Sequence, residues 1–338
     1  MRLSKKFILK VFLKILRTLP PEISSFLSLK IIKLSYDLGS NFFRPKIKIT
    51  VPSMKVKTQD LIFENYLGLS AGIDKSGQYY ASLNSLGFSF IETGTFTPIA
   101  QKGNKNPRVK RISKEDSLIN RLGFNNPGIS EGLINIKKNK KNFNGILGVS
   151  IGKNRSTKLE DAYKDYIFCM NKSFDCADYI AVNISSPNTR DLRKLSSKDY
   201  IEDLTTLINK EKKKLEKIYD RKVPILLKLS PDEKSENLEN IISCSLSNDF
   251  SGFIISNTTQ GNYLGISGGI SGKLLKDKAN HMLKNIHDMV DEDILLIASG
   301  GISDKRDAEE RLENGARLIQ IYTSFVYKGP SIVEELLN

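Results

Sequence analysis

Eight short, apolar, β-branched runs, separated by longer polar stretches that suit helices, constrain this chain more than any other feature. They occupy 67–72, 88–95, 146–152, 179–185, 225–230, 253–259, 294–301 and 318–324. Several are almost continuously apolar, as strands buried on both faces must be. Eight β/α repeats predict a closed (β/α)8 TIM barrel, an α/β fold, rather than an open doubly wound sheet. The long segment between the second and third runs is expected to add strands or loops over the barrel mouth. A length of 338 residues, 39% of them hydrophobic, is enough for such a barrel and for an appended segment.

That segment is N-terminal. Ile8, Val11, Phe12, Ile15, Leu16 and Leu19 recur at helical spacing and form one apolar face. Lys6, Lys10, Lys14 and Arg17 interrupt the run, which argues against a secretory signal with its unbroken apolar stretch. Pro20 and Pro21 end this helix and suit the start of the next. A second stripe follows in Ile23, Phe26, Leu27, Ile31, Leu34 and Leu38, closing near Gly39. Two short amphipathic helices with basic residues read as a hairpin on a membrane surface; on pattern alone, a pair packed against the main domain is the other reading. The expected division is a hairpin at 1–40 and a barrel at 41–338. No run of 18 apolar residues exists, so no spanning helix is expected.

Composition narrows the chemistry. The net charge of +14 suits an anionic partner or reflects a lysine-rich bias spread along the chain. Cys169, Cys176 and Cys244 lack metal-ligand spacing, and their odd number suggests no disulfide framework. His281 and His287 are the only histidines, so a histidine triad or a histidine-bound metal is not expected.

In barrels of this kind the site lies where strands end. The eight runs end in SAGIDK (70–75), ETGT (92–95), SIGKN (150–154), NISSPNT (183–189), KLSP (228–231), SNTT (256–259), SGG (299–301) and QIYT (320–323). These are small, polar or cationic groups that would converge on one face. Gly300 and Gly301, with Tyr322 and Thr323, match the usual phosphate position of the fold, although paired glycines also make plain tight turns. Many amides and hydroxyls, two lysines and few carboxylates suit a polar, anionic, ring-shaped ligand beside a cofactor. Glycosidase chemistry needs two facing carboxylates, and a zinc hydrolase needs His or Cys ligands.

The string NISSPNT at 183–189 resembles the signature of the dihydroorotate dehydrogenases. So do AGIDK (71–75), NPRVKRI (106–112), INRLGFNNPG (119–128), GKN (152–154), LLKLSPD (226–232), SNTT (256–259), GGISGK (268–273), SGGI (299–302), NGA (314–316) and IYTS (321–324), in family order over residues 67–330. The resemblance implies FMN-dependent oxidation of dihydroorotate to orotate in pyrimidine (UMP) biosynthesis. Ser186 stands where the cytosolic branch carries a cysteine base. With the hairpin, it points to the class 2 branch, which passes electrons to a quinone as a peripheral protein on the cytoplasmic face of the inner membrane.

Carried over residue by residue, Ser186 would take the C5 proton while hydride passes from C6 to flavin N5. Thr189 and Phe124 would shape a proton relay through a bound water. Lys75, Asn120, Asn183, Asn188, Asn257 and Thr258 would hold the substrate ring, with Arg121, Leu122, Gly123 and Phe124 in the same loop. FMN would contact Ala71, Gly72, Lys75, Thr95, Ser150, Asn183, Lys228, Ser256, Gly272, Gly301, Tyr322 and Thr323, with Lys228 beside N1. Arg111 and Tyr322 match quinone-site residues. The chain departs from the family in three places. Ser150 replaces the usual asparagine, the loop between Asn257 and Gly272 is shorter than is typical of class 2, and Ser25 stands where a histidine is common. A flavin barrel that reduces uridine in transfer RNA would suit the basic charge, but no appended RNA-binding domain is seen, so no nucleic-acid partner is expected. A degenerate scaffold would have lost the serine or the amides. A fumarate or NAD acceptor fits poorly with Ser186 and the hairpin.

Overall fold

The computed structural model describes residues 5–46, 54–56, 61–189 and 191–338. Eight parallel strands close a barrel in chain order: β1 Leu67–Leu69, β2 Phe90–Phe96, β3 Ile146–Ile151, β4 Tyr179–Asn183, β5 Ile225–Lys228, β6 Gly252–Ile255, β7 Leu295–Ser299 and β8 Leu318–Ile321. All eight runs read from the sequence become barrel strands. Most runs extend past their strand at the C-terminal end, because small and polar strand-end residues continue into the loops that build the mouth.

Side chains alternate between two destinations. Outward residues such as Ile91, Val149, Val182, Leu227 and Ile319 join the core under the helices. Phe90, Tyr179, Ala181, Leu226, Ile254, Leu295, Ile297 and Leu318 fill the barrel interior. Two glycines make room for the rings. A Cβ on Gly68 would lie 2.3 Å from Phe90, and one on Gly148 would lie 2.2 Å from Tyr179. The N-terminal end is stoppered by the strand Leu61–Phe63, which pairs antiparallel with Met54–Val56. Phe63 is buried and meets Phe90 edge-on at 5.5 Å.

The mouth carries an antiparallel four-stranded sheet in the order Thr259–Tyr263, Ile266–Gly272, Ser117–Asn120, Val109–Ile112. Two of its strands come from the long segment between β2 and β3, as expected. The other two show that the short loop between Asn257 and Gly272 is a β-hairpin. Its tip is Leu264 at φ 48° and Gly265 at φ 76°, the paired left-handed residues of a two-residue turn.

Two helices precede the barrel, α1 Lys5–Thr18 and α2 Pro21–Asp37. Pro20 and Pro21 stand at the corner between them. Their apolar faces do not point only where the spacing suggests. Ile8, Val11, Ile15, Ile23, Phe26, Leu27, Leu34 and Leu38 are exposed, whereas Leu9, Leu16, Leu29 and Ile32 are buried. Each helix is apolar on more than one side, so one set packs inward and the other faces out. Polar ties also dock the pair: Arg17 donates to the Tyr327 carbonyl at 2.6 Å, and Glu22 pairs with Arg108 at 2.8 Å.

Phe63→Ala should cost about 3–5 kcal/mol, read as a fall in the urea midpoint, with ligand binding at the opposite end of the barrel unchanged. A loss of ligand binding equal to the loss of stability would show that the two ends are not independent.

Candidate active site

Above the apolar interior lies a polar tier. Glu92 of β2 is wholly buried, and its Oε1 meets the Lys228 ammonium of β5 at 3.0 Å. Lys228 also donates to Ser70 Oγ at 3.2 Å. Gln320 Nε2 and the Tyr179 hydroxyl donate to the other carboxylate oxygen at 2.8 and 3.2 Å. Removing two charges from water is costly, and only close geometry with every lone pair engaged offsets that cost. The tier therefore holds one cation, firmly placed, under the mouth.

The mouth forms a cavity built from the C-terminal ends of all strands but β3, the loops that follow most of them, and the sheet above. The loop after β1 is organised by Asp74, a buried carboxylate that accepts the N–H groups of Ser76, Gln78, Tyr79 and Tyr80 at 2.8 to 3.2 Å. Burial pushes its pKa up, and those four N–H groups oppose the rise. The turn it makes presents Ala71, Gly72 and Lys75 to the cavity. Lys75 donates to the Gly72 carbonyl. Burial lowers its pKa to about 8, with Arg108 adding to the fall and Glu22 and Asp74 opposing it.

After β4, Asn183, Ser186 and Asn188 line the same space. The amides hold one another. Asn188 Nδ2 donates to Asn120 Oδ1 at 3.0 Å, and Asn257 Nδ2 donates to Ser185 Oγ at 3.0 Å and Asn183 Oδ1 at 3.3 Å. Ser186 Oγ accepts the Asn188 N–H at a long 3.3 Å. Leu122, Gly123, Phe124 and Thr258 complete this wall.

The remaining expected residues Thr95, Ser256, Gly272, Gly301, Tyr322 and Thr323 also line the cavity. Gly301 sits at φ 76°, and a Cβ there would lie 2.3 Å from Lys276 Cα, so only glycine fits. Gln320 lines the floor, and its Oε1 is buried with no partner. A cofactor that brings a hydrogen-bond donor would satisfy it. With Lys228 as a fixed cation and the Gly301 backbone free of side-chain bulk, the donor set suits a ring system carrying an imide and a phosphate.

Three expected residues do not line the cavity. Ser150 is buried behind Thr95 and bonds its hydroxyl at 2.9 Å, because the short side chain stops there. Arg121 turns outward to the Pro107 carbonyl at 3.2 Å. Thr189 lies on the far side of Ser186, in a polar crevice with Asp191 and Arg193, and its buried hydroxyl has no partner. Sequence reading assigned no role to Ser271, Leu275 or Gln320, which line the cavity, or to Asp74 beneath it. Ser271 stands in the glycine-rich GGISGK string, where no strand was read. Leu275 carried no signal.

A second, mainly apolar cavity lies between the N-terminal helices and the barrel, lined by Leu9, Phe12, Leu29, Ile32, Ile73, Phe325 and Val326 among others. Its polar exceptions include Ser25 and Arg111. Arg111 donates to the Leu19 carbonyl at 2.8 Å and to Ser24 Oγ at 2.9 Å. Two segments separate the cavities as a common wall: Gly72, Tyr322 and Thr323 line the first, and their neighbours Ile73, Phe325 and Val326 line the second. Tyr322 belongs to the first cavity, and its hydroxyl approaches the Gly72 carbonyl at 3.4 Å. Burial raises its pKa to about 12, so it stays a neutral phenol.

Comparison with known proteins gives a consistent result. The family model for dihydroorotate dehydrogenase matches residues 53–338. A dihydroorotate dehydrogenase (quinone) of Wigglesworthia glossinidia brevipalpis is 41% identical over 319 residues, 92% of this chain and 94% of the relative. One from Hamiltonella defensa is 39% identical over 332 residues, 96% and 97% of the two chains. The crystal structure of the Eimeria tenella enzyme in complex with ferulenol superposes with a TM-score of 0.82 at 29% identity, covering 92% of this chain and 89% of that one.

The buried tier supplies a test of the site's frame. Glu92→Gln leaves Lys228 without its counter-charge and should cost about 3–5 kcal/mol of stability. A change in the urea midpoint worth less than about 1 kcal/mol would mean that the carboxylate is not what holds the lysine.

Proposed function

Since the chain belongs to the dihydroorotate dehydrogenase family, we propose that it oxidises dihydroorotate to orotate in pyrimidine biosynthesis with a bound flavin, FMN, and passes the electrons to a quinone. The observation that carries this reading is the single cavity shared by Ser186, the three amides Asn120, Asn188 and Asn257, and the fixed cation Lys228. No zinc-type cluster competes with it: the described residues hold no group of three or more His, Cys, Asp or Glu that could bind a metal ion.

Bound FMN would supply the hydride acceptor. Ala71, Gly72, Thr95, Ser256, Gly272, Gly301, Tyr322 and Thr323 would hold it, and Lys228 would favour negative charge on its ring. Ser150 would act only through Thr95. Lys75 would meet the substrate carboxylate, and the amide wall would read the ring, since each amide both donates and accepts. Arg121 would act on the substrate only by fixing its loop, since its N–H donates to the Arg108 carbonyl and its carbonyl accepts the Asn104 amide.

Ser186 would take the proton from C5. A neutral hydroxyl is a weak base and needs somewhere to send the proton. Ser186 borders both the cavity and the polar crevice of Thr189, which supports a relay in that direction. Phe124, at φ 50° on the cavity side, would close the relay against bulk water.

The apolar cavity is the natural place for a quinone, with Arg111 and Ser25 among its few polar lining residues. Electrons would cross the shared wall beside Tyr322. The outward apolar side of the two N-terminal helices includes Ile15 at 59%, Phe26 at 53% and Leu34 at 59% exposure, beside exposed Lys10, Lys14 and Lys30. This supports a peripheral seat on an anionic membrane surface; the cytoplasmic face of the inner membrane is the side we propose from the family resemblance. Among the described residues no helix is long and apolar enough to cross a membrane.

The deciding experiment is anaerobic addition of dihydroorotate to the FMN-loaded protein, followed by flavin bleaching. Ser186→Ala should keep its flavin and bleach about 100- to 10,000-fold more slowly; a near-normal rate would exclude Ser186 as the base. The pH response follows from Lys75. Orotate binding favours its protonated form, so affinity should be flat well below pH 8 and fall as pH rises through about 8. Affinity unchanged to pH 9.5 would remove Lys75 from carboxylate recognition.

A further inference from the structure

Outside the cavity, four segments meet at one carboxylate. Asp232 follows β5, and its Oδ2 accepts Arg193 Nη1 at 2.7 Å and the Gln260 N–H at 2.8 Å. Its Oδ1 accepts the Thr259 hydroxyl at 2.5 Å and the ammonium of Lys278, which lies on helix Lys276–His287. Thr259 and Gln260 open the first strand of the hairpin over the mouth. Arg193 lies in a short 3-10 turn after β4 and spends its other donors on two carbonyls. Nε donates to Ser185 O at 2.9 Å and Nη2 to Thr258 O at 3.0 Å.

Those two carbonyls are well chosen. Ser185 immediately precedes Ser186, and Thr258 lines the cavity wall beside Asn257. One planar guanidinium therefore spans the backbone that carries the serine and the backbone that carries the opposing wall. Its fork makes three directed contacts, which a lysine cannot reproduce. Asp232 fixes the fork and ties the same hairpin down by two further bonds.

We propose that Arg193 and Asp232 form a latch that positions Ser186 against the substrate wall and holds the 259–272 hairpin closed over it. They are positioning residues, since neither lines the cavity. The latch rests on the reading of Ser186 as base for its effect on rate, but its hold on the hairpin stands apart from that reading. It does not titrate in the working range. Burial alone would raise the pKa of Asp232, but the bonds from Lys278, Thr259, Gln260 and Arg193 together hold it at about 2.

The test uses the FMN-loaded full chain as Arg193→Gln, Arg193→Lys, Asp232→Asn and Thr259→Val. Stopped-flow bleaching against dihydroorotate concentration separates the limiting rate from affinity, and hydrogen exchange reads the hairpin amides. Arg193→Gln should lower the limiting rate by about 10- to 100-fold, the scale of a small misplacement at a reacting centre. Arg193→Lys should recover only part of that loss. Asp232→Asn and Thr259→Val should speed exchange at the hairpin and hasten orotate release, with Thr259→Val leaving the limiting rate in place. In a Ser186→Ala background, Arg193→Gln should add little, because both changes act on one proton transfer. If Ser186→Ala alone leaves the rate intact, the base assignment fails while exchange and orotate release still judge the latch. Unchanged limiting rate in Arg193→Gln, or unchanged exchange and release in both Asp232→Asn and Thr259→Val, would overturn it.

Discussion

At the waist of the barrel a carboxylate sealed from water faces an ammonium 3.0 Å away, and the layers above and below depend on that contact. Below it, Phe90, Leu226, Ile254 and Leu318 pack a dry floor. Above it, the strand ends contribute Ser70, Gly94, Asn183, Ser256 and Ser299 to the cavity. An ion pair at this depth adds little net stability, because desolvation consumes most of the Coulomb gain. What it contributes is placement. Lys228 cannot turn toward bulk solvent, and the Glu92 oxygens are fully engaged by Lys228, Gln320 and Tyr179. The cation is preorganised before any ligand arrives, which is the condition under which an electrostatic contact is worth most to a reaction.

The two cavities differ in chemistry and share a wall. The first is ringed by amides, hydroxyls and two lysines; the second is lined chiefly by apolar side chains, with Arg17, Arg111 and three serines among them. The hairpin helices build most of the second cavity with their inward side, and their outward side remains apolar. One pair of short helices thus makes both a container and a surface, which follows from an apolar content too high for a single stripe.

Much of the barrel was legible because its constraint is local and periodic. Parallel strands buried on both faces write continuous apolar runs, and all eight were found. Their C-terminal bounds were less legible: most runs keep going for a few residues after the last pairing hydrogen bond. The site was legible where strand-end identity alone decides contact, as at Gly72, Asn183, Lys228 and Gly301. It was not legible where side-chain direction decides. Ser150 is one atom set too short to pass Thr95, and Arg121 finds carbonyls on the outer side. Thr189 sits across the backbone from the cavity that its neighbours line. The segment after Thr258 was read only as a short loop, since Gly261, Gly265, Gly268 and Gly269 mask strand propensity, yet pairing with Ser117–Asn120 supplies the order.

That pairing also separates what is fixed in the hairpin from what is free. Gly269 stands opposite Asn120 and Gly272 opposite Ser117, so the register of the inner strand is locked to residues of the site. The far end is held more lightly: the exposed Lys110 ammonium donates to the Leu264 carbonyl at 3.0 Å, while the Leu264 side chain is 70% exposed and Gly265 has no atom within 4 Å of a would-be Cβ. Extra residues inserted there would lengthen the flap into solvent without shifting a single amide below. Divergence in length is therefore channelled to the tip, and this chain, with a two-residue turn, sits at the lower bound of what a hairpin can lose.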